Sequence, residues 1–203
     1  MSSARYRALS QRVKQLEKRF LPKVFSPTGQ YSSRRIDMVR AYRLLVHAEI
    51  ESYLEDQARN STNDAFHKFQ QDAKPRLIVM SLVCHYANQP PSDNKLKALF
   101  AVGGNHAANA VHDAVTAFNA AITGNNGIRE KDVLRLLLSV GFSSGDIDTT
   151  WLVTVDGFGA KRGQTAHTSF RVQQLLDPQT EKTTVNAILQ GLEDIDDKFK
   201  SLR

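Results

Sequence analysis

Arg162 and His167 stand five residues apart in the stretch Asp156-Gly-Phe-Gly-Ala-Lys-Arg-Gly-Gln-Thr-Ala-His-Thr-Ser169, just after what reads as a glycine-relieved turn. A guanidinium can hold a phosphate in a planar fork, and an imidazole near its ordinary pKa of ~6.5 can move a proton at neutral pH. The two groups together suffice for cutting a phosphodiester next to a ribose 2′-hydroxyl. Spacing alone carries little weight. With 15 Arg and 6 His in 203 residues, roughly one Arg-x4-to-6-His match is expected by chance, and Arg40 with His47 is a second instance. The weight must come from the elements that position the pair.

Composition sets the frame. Hydrophobic residues at 41% and charged residues at 24% are ordinary globular values. The chain is long enough for one domain, or for a domain plus a helical arm. The longest apolar run, Leu77 to Cys84, is broken by Ser81 and falls far below the ~20 residues a bilayer requires. Cys84 is the single cysteine, so an intrachain disulfide and a cysteine zinc site are excluded, and a reducing cytoplasm is the expected location. The first residues lack the apolar core of a secretory signal. The net charge of +6 is localised: residues 1–23 hold seven basic residues against Glu17, and the remaining 20 basic and 20 acidic residues cancel. The basicity belongs to one element, which points to a local contact with an acidic partner.

That first element carries Tyr6, Leu9, Val13, Leu16 and Phe20 at steps of 3, 4, 3 and 4, an amphipathic helix with its cations off the stripe. Leu21 to Gly29, with two prolines, forms a linker. A long helix is predicted from Ser33 to Asn60, broad-faced and central, with Arg43 and Glu49 near the edges of the face as members of ion pairs. Ser61-Thr-Asn-Asp reads as the N-cap of the next helix, which meets Pro75 and restarts as an apolar helix. Further helices are expected over Asn105–Thr123 and Arg129–Val140, the first stopped by Gly124 and the second by Gly141. Ser144-Gly-Asp then caps a run through Trp151 and Val155 into the opening stretch. His106 and His112, six apart, lack metal-ligand spacing. Asp177-Pro178 opens a last helix in which Val185, Ile188, Leu192, Ile195, Phe199 and Leu202 repeat at heptad steps. Its acidic outer face complements the basic first helix, so the two can zip within one chain or across a dimer; equally, the basic arm can contact RNA through Arg5, Arg12 and Arg19. No strand pair, phosphate loop or nucleophile elbow is present, and the expected fold class is all-α.

In that setting the stretch around Arg162-x4-His167 resembles the HEPN superfamily, in particular the branch called RiboL-PSP-HEPN. The likeness includes the early helix Leu44 to Leu54 and the segment Gly127 to Gly141, and it spans residues 33–170. It implies an up-and-down helical bundle over 31–176, preceded by a basic helix and linker (1–30) and followed by a heptad helix (177–203). It also implies a metal-independent endoribonuclease without cofactor, often a toxin or defence effector. Such an enzyme works as a homodimer whose Arg-His pairs line one groove. Partners would be RNA and, in some cases, an antitoxin or nucleotidyltransferase, with no membrane. Arg162 and His167 take the catalytic roles. Lys161, Gln164, Thr168 and Ser169 can contact phosphate or sugar, or solvate a helix end. Gly163 departs from the family, which often places Asn, Asp or His after the arginine; a glycine there could let the backbone approach a phosphate. The alternative is a non-catalytic domain of the same type that binds RNA or a protein partner.

Overall fold

The computed structural model describes residues 2–86, 106–167 and 176–202, with the main chain alone for 106–107 and 161–167. Among these residues the fold is all-α: α1 (Ala4–Phe20), α2 (Ser33–Asp72), α3 (Leu77–Tyr86), α4 (His106–Thr123), α5 (Glu130–Ser139), a 3-10 turn at Ser144–Asp146, α6 (Thr149–His167) and α7 (Pro178–Ser201). No helix in the described residues is long and apolar enough to cross a membrane.

The forty-residue α2 is the axis against which α1, α3, α4, α5, α6 and α7 all pack. One apolar cluster draws on every helix, from Tyr6 and Leu9 in α1, through Tyr42, Val46, Ile50 and Tyr53 in α2, to Ile188, Leu192 and Phe199 in α7. The heptad stripes at the two ends of the chain are therefore consumed within a single chain. Tyr6 donates to the Leu189 carbonyl at 2.8 Å, and Ser3, the N-cap of α1, binds Asp196 through both its backbone N–H and its hydroxyl. The charges do not zip as the sequence suggested. The one ion pair between these helices joins acidic Glu17 of α1 to basic Lys182 of α7 at 2.6 Å, among the described residues. The buried Asp196 lies at the positive end of the α1 dipole instead.

Two helix boundaries depart from the sequence reading. Ser61 and Thr62 do not start a new helix: α2 runs through them, both are fully buried between Ala58 and Ala65, and neither hydroxyl has a hydrogen-bond partner. Small side chains permit close helix packing there, and packing outweighs the capping preference of Ser and Thr. The helix ends at Ala73, which takes a left-handed conformation (φ 55°), and the Asp72 carboxylate accepts from Lys74 N at 2.9 Å before Pro75 restarts the chain. Asp156-Gly-Phe-Gly is likewise helix rather than turn, lying inside α6. The buried Trp151, Leu152, Val155 and Phe158 recur at helical spacing, and their burial outweighs the ~1 kcal/mol that each helical glycine forfeits. The stop at Gly141 is as read, with φ +96° closing α5.

Candidate functional site

The site begins with how α6 is held. Asp148 accepts from Trp151 N at 2.6 Å and so satisfies a donor of the first turn. The Trp151 indole lies against α7 and donates to the Ile188 carbonyl at 3.0 Å. It fits because position 191 is glycine; a Cβ there would sit 2.1 Å from the indole Cδ1. Two turns on, Asp156 accepts from Arg129 Nε at 2.6 Å and from Glu130 N at 2.9 Å, fastening the start of α5 to the middle of α6. The Arg129 hydrogen bond holds the Asp156 carboxyl below the usual carboxylate range. Gly159 permits this approach, since a Cβ there would meet Arg129 Cδ at 3.2 Å and the Ile128 carbonyl at 3.4 Å. Gly157 faces open space.

Phe158 carries α6 against α2. Its ring stacks on His47 with centroids 6.3 Å apart, and the Arg43 guanidinium lies over it at 5.0 Å. Arg43 is in turn gripped by Glu181 of α7 in a two-pronged pair, with Nε 2.8 Å from Oε2. Both side chains are buried, and Arg43 Nη1 has no hydrogen-bond partner. Arg43 thus ties α2, α6 and α7 together one turn before Arg162, as the ion pair the sequence suggested. Glu49 pairs with Arg12 at 3.0 Å, also as read. The second Arg-His match, Arg40 and His47, is buried on the same face of α2. Arg40 binds Asp37 at 2.9 Å, and His47 Nδ1 lies 3.5 Å from Glu51. The sequence signal for this cluster was the i, i+3, i+7 spacing of Arg40, Arg43 and His47 among apolar positions.

Lys161, Arg162, Gly163, Gln164 and His167 all lie on α6, whose main chain remains helical to His167; Thr168 and Ser169 lie outside the described residues. Five helical steps turn the chain by ~500° and advance it by ~7.5 Å, so positions 162 and 167 are ~140° apart about the helix axis. The helix has begun at Thr149, so both positions lie well beyond its first turn and keep this helical separation.

The expected contacts in α1 divide. Arg5 is committed to Asp56 at 2.9 Å and to Ser52 at 3.1 Å, and Arg12 to Glu49. Arg19 is exposed, lies over the Phe20 ring at 5.6 Å and has no carboxylate partner among the described residues. No group of three or more His, Cys, Asp or Glu side chains able to hold a metal ion occurs among the described residues. No family model, curated protein or solved structure matches the chain.

Proposed function

We propose that the protein is a HEPN-type endoribonuclease that acts as a homodimer, with Arg162 and His167 as its reacting groups and no metal in its chemistry. The observation that carries this reading is the placement of the Arg-x4-His sequence on one continuous helix, α6, anchored on three sides by Trp151, Asp156 and Phe158. Since positions 162 and 167 diverge by ~140° on one helix, a second α6 from a second copy is the simplest way to gather both residue types around one phosphate.

In the reaction, His167 takes the proton of the ribose 2′-hydroxyl as its oxygen attacks phosphorus, or delivers one to the departing 5′-oxygen. Arg162 stabilises the negative charge that grows on the phosphorane. The P–O5′ bond breaks, leaving a 2′,3′-cyclic phosphate and a 5′-hydroxyl. DNA lacks the nucleophile and stays intact. Lys161, Gln164, Thr168 and Ser169 are the candidates for contacts to flanking phosphates and sugars. A toxin or defence role in the cytoplasm, held in check by an antitoxin or a nucleotidyltransferase, fits an enzyme of this type.

The test is end chemistry. Single-stranded RNA incubated with the protein in EDTA should give cyclic phosphate ends, while a 2′-O-methyl copy of the same RNA should be bound and left uncut. Equal cleavage of both would remove 2′-hydroxyl attack from the account. Gly163, which supplies no side chain beside Arg162, favours one second reading, a domain that binds RNA without cutting it. Persistent binding with no product between pH 5 and 8 would select that reading.

A further inference from the structure

We propose that the end of the bundle at which α6 stops is the docking surface for the phosphodiester backbone of the RNA strand, and that Lys18, Arg19, Lys23, Arg34 and Arg35 form it. The inference rests on the ribonuclease reading and names where its substrate lies.

Side-chain contacts fix the helix directions. Glu181 of α7 meets Arg43 of α2, and Asp196 meets Tyr53 and Gln57, so α7 runs parallel to α2. Lys198 meets Asp146 and Ile188 meets Trp151, so α6 runs antiparallel to both. Beyond Phe158, which lies at Arg43, α6 therefore heads toward the first turns of α2. His167 is nine residues past Phe158 and Arg34 is nine residues before Arg43, ~13.5 Å along the axis in each case. The end of α6 and the Arg34-Arg35 pair thus reach the same level. Helix α1 is antiparallel to α2, as Arg5 with Asp56 and Arg12 with Glu49 require, and it delivers Lys18, Arg19 and then Lys23 to this same end.

Cations without a carboxylate partner among the described residues collect at this end of the bundle. At this end the carboxylates are already engaged: Glu17 with Lys182, Asp37 with Arg40, Glu181 with Arg43, and Asp177 as the cap of Thr180 N. The five named cations carry no ion pair among the described residues, and all but the half-buried Arg35 are exposed. At the opposite end acids and bases offset each other: Asp56 pairs with Arg5, and Asp196 and Asp197 with Lys200. A polyanion is therefore attracted to the first end, where the cations are not offset. The surface also suits RNA better than a lipid bilayer, because Val24, 83% exposed, is its one strongly exposed large apolar side chain among the described residues.

The experiment uses full-length protein bearing His167→Ala, so that binding is read without cleavage, and a short fluorescein-labelled single-stranded RNA titrated by anisotropy at several salt concentrations. Adding Lys23→Ala, Arg34→Ala and Arg35→Ala should lower the slope of log K against log salt by about 2, at ~0.7 per lost phosphate contact. Between 50 and 200 mM salt the parent should then weaken by about twentyfold more than the triple variant. Lys68→Ala with Lys74→Ala, at the other end of α2, should leave the slope unchanged. An unaltered slope in the triple variant, with wild type still cutting the RNA, would overturn the docking surface and leave the ribonuclease reading intact. Neither binding nor cleavage of RNA would remove both. Binding to phosphatidylserine vesicles that depends on the three cations, without RNA binding, would make the surface a membrane contact and overturn the proposal.

Discussion

Single side chains show where the molecule commits its charge. Arg43 and Glu181 form a buried pair, and removing one partner leaves the other uncompensated. Arg43→Ala should therefore lower unfolding stability by about 3–5 kcal/mol, whereas Arg43→Met combined with Glu181→Leu should fall within about 1–2 kcal/mol of wild type. Urea denaturation of the two variants separates these outcomes, and equal losses would mean that the pair contributes only packing. Asp196 supplies a pH test. Burial alone would push its carboxyl up, but hydrogen bonds from Ser3, Tyr53 and Lys200 outweigh burial and hold it below the usual carboxylate range. A depressed folded-state pKa means that the unfolded chain binds the proton more readily. The stabilisation is present above the ordinary value of ~3.9 and is lost as pH falls through the lower folded value. Wild type should accordingly lose more urea stability between pH 7 and pH 3 than Asp196→Asn, and parallel losses would contradict this assignment.

Helices are where the sequence was most legible. The stripes Tyr6 to Phe20 and Val185 to Phe199 mark α1 and α7, and Asp177-Pro178 marks the start of α7, because 3.6-residue periodicity and caps are local signals. The continuity of α2 past Ser61 and of α6 through Gly157 and Gly159 was not legible, because it depends on what those small residues meet in space. The same holds for the Arg43–Glu181 pair, whose members are 138 positions apart, and for the commitment of Arg5 and Arg12 to α2. Glycine roles make the point testable. Gly157 faces open space within a helix, so Gly157→Ala should stabilise by about 0.5–1 kcal/mol. Gly191 sits under the Trp151 indole, so Gly191→Ala should destabilise by about 1–3 kcal/mol despite the same gain in helix propensity. Thermal melts of the two variants should move in opposite directions; a common direction would mean that propensity alone governs both sites.

For the whole molecule, the apolar stripes are spent on a single core, and what remains outside includes a group of cations, without ion pairs among the described residues, at the end of α2 toward which α6 runs. Ile195 lies in that core, so the heptad stripe of α7 is not available to pair with a second copy. Self-association must instead use surface left outside the core, and sedimentation equilibrium should find two copies at concentrations where RNA is cut. A monomer that remains active would break the argument that two α6 helices share one phosphate. Whether α6 carries the proposed ribonuclease centre is decided by cleavage of single-stranded RNA in EDTA by wild type and by His167→Ala. Wild type should give products with 2′,3′-cyclic phosphate ends, and removing the imidazole should lower the rate by about 10²–10⁴-fold. Equal rates from the two proteins, or no product from either, would contradict the assignment.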